Sequence, residues 1–459
     1  MSQYVPDRNP PVPIQRNEEL AYYFESACKP RDRWRIGTEH EKPVVRLSDG
    51  QAAPFSGPAG IEALLRQLAE RFSWEPIEEE GRLVALSREG GSITLEPGGQ
   101  LELSGAAFVS LHETAAELRR HIQETLEITD DLGLAPLALG MQPISRLDQI
   151  EWVPKKRYRI MAPYMQKVGT LGHRMMKQTA TVQVNLDYAT EADAMQKMRV
   201  GMGIAPLVLA MFANSPVSDG SSNGFLSFRG HVWTDTDNAR SGLLPFVFDA
   251  SAGFERYVDY ALDVPMYLIV RGGEWIDMTA FTFRRFLEEG HRGERATLAD
   301  WSMHLTTLFP EVRLKGYIEL RSADSQDPEV ALALPALAKG IFYDDDALAA
   351  TWDLVKRWSW EERLELQRRV PREGLAVRLG RMGLGELARE LLRIAEYGLS
   401  RQRTLDERGQ DETIYLERLA DEVSKGRCPA DRVIERWNGE WNRDPKALVE
   451  GTRYRSQET

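Results

Sequence analysis

Cysteine is nearly missing from this sequence: the two that occur, Cys28 and Cys428, lie far apart and outside any C-x-x-C pattern. Free thiols in a reducing compartment are the simplest interpretation, so we expect a cytoplasmic protein. Long apolar runs are missing too, and no segment reaches the about 20 residues of a membrane-spanning helix. The N-terminal residues lack a basic start followed by an apolar core, which argues against a secretory signal.

Positive charge is in deficit, with a formal net charge of −12 and an isoelectric point near 5.3. Nucleic acids and anionic membranes would be repelled on average, so we expect small-molecule partners, no nucleic acid and no membrane. The chain has no G-x-x-x-x-G-K-[ST] motif, which excludes a Walker loop for ATP. Gly380, Gly383 and Gly385 follow no predicted strand and are not a dinucleotide-binding fingerprint.

Hydrophobic periodicity predicts a single domain over residues 1–459 with three parts. These are an extended Pro-rich arm (1–17), a sheet-containing core (18–328) and a helical C-terminal part (329–459). Helices are predicted near 61–72, 107–132, 191–213, 282–289, 329–342, 345–369, 383–401 and 411–425. An antiparallel-leaning sheet with helices outside it is an α+β fold.

Two strands of the N-terminal part carry acidic and amide side chains on one face and apolar residues on the other. Because strand side chains alternate, Glu39 and Glu41 share a face of the first strand, and Gln100 and Glu102 share a face of the second. A Pro-Gly-Gly turn returns the chain beside Glu96. We therefore expect the four carboxylates of Glu39, Glu41, Glu96 and Glu102 to lie on the same surface of the sheet.

Two later strands continue the pattern with different chemistry. The polar side of the third strand is lined by Thr179, Thr181, Gln183, Asn185 and Asp187. The polar side of the fourth is lined by Arg313, Lys315, Tyr317, Glu319 and Arg321. Arginine and lysine interleaved with glutamate would neutralise phosphate oxygens.

A solvated sheet face is the simplest explanation for any one of these strands. Together they fit it less well, because glutamate pairs, amides and arginines are concentrated on these strands to a degree that a solvated face does not need. Carboxylates on neighbouring strands would raise one another's pKa unless a cation lay among them. Mg²⁺ prefers oxygen ligands and is often bound by protein carboxylates and substrate phosphates at once. The alternative to a solvated face is therefore a site for magnesium and phosphate.

At these segments the sequence resembles the glutamate–cysteine ligase family, in its plant and proteobacterial branch. The matching motifs are IGTEHEKP (36–43), TLEPGGQLELSG (94–105), TATVQVNLD (179–187), the segment 213–240, the segment 257–267, the segment 304–324 and WNGEWNRDP (437–445). The resemblance implies a glutamine-synthetase-like ligase fold, in which a curved, mainly antiparallel sheet cups the active site and is flanked by helices.

The resemblance also implies an activity. The γ-carboxylate of L-glutamate would be joined to L-cysteine through a γ-glutamyl phosphate, with ATP and Mg²⁺, as the first step of glutathione biosynthesis. Two alternatives stay open: a carboxylate–amine ligase with another amine acceptor, and a guanidino-type phosphotransferase on a related fold. We expect a monomer or a homodimer.

The family's functional positions fall on a defined set of residues in this chain. The resemblance implies metal ligands at Glu39, Glu41, Glu96, Glu102 and Glu319. It implies catalytic roles for Arg313, Arg321 and Glu319, and nucleotide contacts for Lys315, Arg313 and Arg321. It implies substrate contacts at Arg229, as the α-carboxylate anchor, and at Trp233, Tyr267, Thr179, Thr181, Gln183 and Asn185.

Overall fold

An eight-stranded antiparallel sheet lies at the centre of the computed structural model, which describes residues 12–455. In chain order its strands are β1 (Ile36–Lys42), β2 (Glu75–Glu79), β3 (Arg82–Arg88), β4 (Gly91–Leu95), β5 (Leu101–Ser104), β6 (Thr181–Leu186), β7 (Val312–Leu314) and β8 (Ile318–Asp324). Across the sheet the order is β7-β8-β6-β1-β5-β4-β3-β2. Strands that are far apart in sequence are therefore central neighbours.

The register aligns the polar residues into rows that run across the strands. One row contains Arg313, Glu319, Asn185 and Gly37. The next contains Gln183, Glu39 and Ser104, and a third contains Glu41, Glu102 and Thr94. All four predicted polar strands thus contribute to one face.

This polar face is covered, not solvated. Glu39, Glu41 and Glu102 are 6%, 8% and 0% exposed. The opposite face carries apolar residues such as Ile36, Val184 and Leu320 into the main core. The solvated-face explanation therefore fails for this sheet. Burial of a charged carboxylate costs free energy unless a cation or hydrogen-bond donors stabilise the charge.

Helices pack around the sheet and dominate the last third of the chain. Their bounds are Glu18–Glu25, Ile61–Phe72, Leu111–Leu132, Lys156–Val168, Gly172–Gln178, Glu191–Met211, Phe228–Val232, Phe254–Asp263, Phe283–Glu289, Leu298–Thr306, Pro328–Phe342, Asp345–Val355, Trp360–Glu373, Leu384–Gln402, Glu417–Ser424, Pro429–Asn438 and Pro445–Thr452. Helices Glu191–Met211 and Pro328–Phe342 contact the central strands. The predicted α+β fold is confirmed.

Local differences from the predicted helices have simple causes. The segment predicted as one helix over 345–369 forms two, because the second begins with its own capping box, in which Ser359 and Glu362 bond each other's backbone amides. The segment 411–425 begins as a 3₁₀ helix, Glu412–Leu416. Residues 1–11 of the predicted extended arm lie outside the described residues.

Smaller two-stranded ladders complete the chain. They are Val44–Arg46 with Leu134–Pro136, Val217–Ser218 with Ser221–Ser222, Ser241–Gly242 with Phe309–Pro310, Leu268–Arg271 with Glu274–Asp277, and Arg378–Leu379 with Met382–Gly383. None of the helices between residues 12 and 455 is long and apolar enough to cross a membrane.

One irregularity in the main sheet affects the site directly. The register of β8 against β6 shifts between Leu320 and Ala323, so that β8 holds one residue more than its partner at this point. Glu319 lies opposite Asn185, whereas Asp324 lies opposite Thr181. Both acidic residues therefore belong to the polar face, although odd and even positions alternate in a regular strand.

Candidate active site

Three buried carboxylates form a cluster on the polar face. Glu41 on β1 lies directly opposite Glu102 on β5, and Glu96 follows the end of β4. One oxygen from each of the three side chains lies within 4.8 Å of the others. We call these three residues the carboxylate cluster.

A tight turn brings Glu96 into the cluster. The amide of Glu96 donates to the carbonyl of Gln100 at 3.0 Å, and the amide of Gly98 donates to the Gln100 side chain at 2.9 Å. A Cβ on Gly98 would lie 2.2 Å from the carbonyl oxygen of Lys177, so only glycine fits there. The Pro-Gly-Gly motif thus positions a site residue.

Electrostatics in the cluster call for a cation. Burial raises the pKa of Glu41 well above its ordinary value, and the charges of Glu96 and Glu102 raise it further. Burial also raises the pKa of Glu96. Within residues 12–455, neither Glu41 nor Glu96 has a basic side chain at ion-pair distance, and hard oxygen ligands in this arrangement fit Mg²⁺.

A second, cationic cluster surrounds Glu319. Its carboxylate accepts two bonds from Arg313 at 2.6 and 2.8 Å and contacts Lys315 at 2.9 Å. Arg321 also donates to it. Burial alone would raise the pKa of Glu319, but these three cations outweigh it and hold the pKa well below its ordinary value.

The structure therefore separates Glu319 from the other implied metal ligands. Both of its oxygens are engaged by cations, and it lies outside the carboxylate cluster. Glu39 also lies outside the cluster, where the amide of Asn185 donates to it at 3.2 Å. In this geometry, Glu319 is the shared counter-charge of three cationic side chains, those of Arg313, Lys315 and Arg321.

A cavity lies between the two clusters, and we call it the central cavity. Its walls include most of the site residues named from the sequence: Glu39, Glu41, Glu96, Thr179, Thr181, Gln183, Arg229, Trp233, Arg313 and Arg321. The remaining wall residues are Pro97, Met161, Met175, Met176 and Phe309. Sequence reasoning missed the methionines, because their spacing on helices is also that of core residues.

The other implied site residues lie behind the cavity wall. Asn185 donates to Glu39, and Lys315 contacts Glu319, which in turn holds the two arginines of the wall. Glu102 is fully buried under Thr94 and Ser104, which donate to it at 2.7 Å. These side chains support the wall and do not form it.

Tyr267 differs most from its implied role as a pocket wall. Its hydroxyl contacts the sulfur of Met165 at 3.1 Å. The guanidinium of Arg240 lies 4.1 Å from its ring centroid. Tyr267 is thus buried in a cation–π contact away from the cavity.

Arg229 lines the cavity and is held in place by Arg321 and Asp324. The sequence pattern did not predict the role of Asp324. Its guanidinium donates to the carbonyl of Arg321 at 2.9 Å and lies 3.8 Å from the carboxylate of Asp324. Asp324 is fully buried and accepts from the hydroxyls of Ser215 and Ser227 at 2.7 and 2.9 Å. Asp324 therefore fixes Ser215 and Ser227, and Ser227 is the N-cap residue of the helix that carries Arg229.

We expect Asp324→Asn to lower the free energy of unfolding by about 1–3 kcal/mol. The carboxylate of Asp324 accepts hydrogen bonds from the amide of Asn214 and the hydroxyl of Ser215. In the asparagine variant an NH₂ group replaces one of the oxygens, and a donor cannot accept these bonds. Urea denaturation measures the change. Asp353→Asn is the matched control, since Asp353 forms an exposed pair with Lys356 and should change stability by less than about 0.5 kcal/mol. Equal stabilities of the two variants would contradict this support role.

Comparison with known proteins gives consistent matches over nearly the whole chain. A family model described as glutamate-cysteine ligase family 2 (GCS2) matches residues 35–451. The chloroplastic glutamate–cysteine ligase of Arabidopsis thaliana is 45% identical over 445 residues, which cover 96% of this chain and 83% of that enzyme. The chloroplastic enzyme of Brassica juncea is 45% identical over 432 residues, or 94% of this chain and 82% of that enzyme.

A solved structure supports the fold. Glutamate–cysteine ligase from Francisella tularensis, determined in complex with AMP, superposes with a TM-score of 0.53 at 13% identity. The match covers 91% of this chain and 88% of that one. At this identity the likeness concerns the fold alone.

These matches confirm the resemblance drawn from the sequence motifs and correct one other expectation. The predicted cytoplasmic location is wrong, because the matching relatives are chloroplastic enzymes. The physical reason is that scarce cysteine indicates a reducing compartment without indicating which one.

Proposed function

Because the chain belongs to glutamate–cysteine ligase family 2, we propose that it joins the γ-carboxylate of glutamate to the amine of cysteine as ATP is converted to ADP and phosphate. One observation carries this proposal. A single cavity has buried carboxylates on one wall and the guanidinium groups of Arg229, Arg313 and Arg321 on the others. The walls are chemically complementary to a metal, a triphosphate and an amino-acid carboxylate.

The proposed reaction has two balanced steps. An oxygen of the γ-carboxylate attacks the terminal phosphorus of ATP, the bond to ADP breaks, and γ-glutamyl phosphate forms. The cysteine nitrogen then attacks the acyl carbon, phosphate leaves, and the nitrogen loses a proton. Both steps concentrate negative charge on oxygens, so catalysis rests on positioning and charge stabilisation.

Each group of residues then has a part. Glu41, Glu96 and Glu102 would hold Mg²⁺, which when bound supplies neutralising charge for the phosphate oxygens. Arg313 and Arg321 hold fixed positive charge at the opposite wall, because Glu319 fixes their side chains in place. Burial of the whole face excludes water, which would otherwise hydrolyse the acyl phosphate.

We also propose that the chain works as one catalytic domain. The carboxylate cluster comes from residues before 105, whereas the cations come from residues beyond 228. The two groups meet only because β1 and β8 both flank β6 in one sheet. A truncated chain that ends near residue 320 would lack part of the cationic wall.

The proposed function is tested with purified protein, ATP and Mg²⁺. ADP release is expected only when L-glutamate and L-cysteine are both present, and mass spectrometry should detect γ-glutamylcysteine. Turnover that is equal with an unrelated amine would indicate another carboxylate–amine ligase. ADP release with a guanidine compound alone, accompanied by its phosphorylation, would indicate the phosphotransferase and overturn the proposal.

A further inference from the structure

The carbonyl of Leu95, the residue that precedes Glu96, accepts hydrogen bonds from two buried side chains. The ammonium of Lys155 donates to it at 2.8 Å, and the hydroxyl of Tyr158 donates to it at 3.1 Å. A carbonyl oxygen has two lone pairs, so it can accept both bonds. These contacts fix the backbone immediately before a member of the carboxylate cluster. We call residues 153–158, from which both donors come, the brace.

The brace also holds the backbone after Glu96. The amide of Val153 donates to the carbonyl of Pro97 at 2.9 Å. The helix Lys156–Val168 begins within the brace and carries Met161, which lines the central cavity. Glu96 is therefore held on both sides by one segment of the chain, and that segment also supplies part of the cavity wall.

Lys155 is an unusual side chain for this position, because lysine is seldom buried without a paired acid. Within residues 12–455 its ammonium forms no ion pair, and its one hydrogen bond goes to the carbonyl of Leu95. Burial lowers the pKa of Lys155 to about 8, and the charge of Glu96 opposes this effect, so the side chain is a cation at neutral pH. A methionine of similar length would fill the same space without a charge to bury. The bond to the backbone before Glu96 gives the buried ammonium a task.

We propose that Lys155 is a positioning residue of the magnesium site, which holds Glu96 in place through the carbonyl of Leu95. This inference rests on the metal site of the proposed function, and it adds a residue that sets how tightly the metal binds. Lys155 lies outside both the carboxylate cluster and the central cavity, so it acts through the backbone of Glu96. Loss of a group that orients a metal ligand from behind typically weakens metal binding by about tenfold to a hundredfold.

The positive charge of Lys155 has an opposite effect on metal affinity. A cation near the carboxylate cluster repels Mg²⁺, so removal of the charge by itself would tighten metal binding. Removal of the hydrogen bond frees the backbone before Glu96 and would weaken metal binding. The ammonium bonds directly to Leu95 and is not at ion-pair distance from any carboxylate of residues 12–455. We therefore expect the loss of position to outweigh the loss of repulsion.

The test is Lys155→Met, which keeps a side chain of similar length and removes the ammonium. The Mg²⁺ concentration that gives half of the maximal rise in Tm should increase about tenfold, because Glu96 is less well positioned. The Mg²⁺ concentration for half-maximal turnover should increase by the same factor, whereas kcat at saturating Mg²⁺ should fall by less than about threefold. Lys155→Arg keeps a cationic donor and should recover part of the affinity. Tyr158→Phe removes the second donor and should shift the Mg²⁺ dependence in the same direction by a smaller factor.

Lys167→Met is the matched control, since Lys167 is exposed on the same helix, and it should behave as the unmodified protein. If the Mg²⁺ dependence of Lys155→Met changes by less than about twofold, Lys155 serves packing alone and the proposal is overturned. Tighter Mg²⁺ binding by this variant would show that repulsion dominates and would also overturn it. If Lys155→Met does not fold, an unchanged Mg²⁺ dependence of Tyr158→Phe would overturn the role of the Leu95 carbonyl.

The thermal measurement separates this proposal from the proposed function, because it requires no turnover. A protein whose Tm responds to Mg²⁺ but which shows no glutamate-dependent turnover would overturn the ligase activity and not the role of Lys155. An unmodified protein whose Tm does not respond to Mg²⁺ at all would overturn the metal site and the role of Lys155 together.

Discussion

Glu41→Gln is expected to lower kcat about a hundredfold or more while the protein stays folded. The substitution removes one charge of the carboxylate cluster, and the metal that we propose there contributes several kcal/mol to stabilising the transferring phosphoryl group. Without Mg²⁺, the variant should be at least as stable as the unmodified protein. Glu41 is a buried carboxylate whose charge is opposed by burial and by two neighbouring glutamates.

Thermal unfolding separates metal binding from catalysis in this experiment. Mg²⁺ should raise the Tm of the unmodified protein, because a ligand that binds only the folded state stabilises it, and should raise that of the variant much less. Glu75→Gln is the control, since Glu75 is an exposed glutamate of the same sheet. A variant that keeps both its turnover and its response to Mg²⁺ would remove Glu41 from the metal site.

Glu319→Gln is expected to have the largest effect on stability, a loss of about 3–5 kcal/mol. Glu319 is the shared counter-charge of Arg313, Lys315 and Arg321, and all four side chains are largely withdrawn from water. A neutral amide would leave three like charges close together in a medium that screens them poorly. Urea denaturation at neutral pH provides the measurement.

Glu373→Gln is the matched control for this variant. Glu373 pairs with Arg369 at the surface, so its loss should cost less than about 1 kcal/mol. The family resemblance implies that Glu319 is a metal ligand, and the same variant tests that role. If Glu319→Gln keeps its stability within about 1 kcal/mol but loses its response to Mg²⁺, then Glu319 binds the metal and its cations rearrange around the bound nucleotide.

The polar face of the sheet could be predicted from the sequence because alternation is a local property. Glu39 and Glu41 share a face whatever strand they pair with, and so do Gln183 and Asn185. The order of the strands is not local. Glu41 lies opposite Glu102 and accepts a hydrogen bond from Gln183. These contacts depend on which strands are neighbours, and the alternation pattern within a single strand does not specify its neighbours.

The bulge in β8 explains why the sequence pattern missed Asp324. In a regular strand, Asp324 would face away from Glu319 and Arg321, so a period-two pattern assigns it to the apolar side. The additional residue returns it to the polar face beside Arg229. The position of Tyr267 could not be predicted for another reason, since a motif match does not say whether a ring faces a cavity or an arginine behind it.

The strand order of the sheet has a consequence for biosynthesis. Strands β1 to β5, which carry Glu41 and Glu102, are contiguous in the chain and in the sheet, so this half can pair early as the chain emerges. Arg313 and Arg321 are made much later. A nascent chain therefore gathers its buried carboxylates before it has the arginines of the opposite wall. The acidic wall of the central cavity is therefore complete before the opposite wall exists, and the cavity can close only after residue 321 has been added.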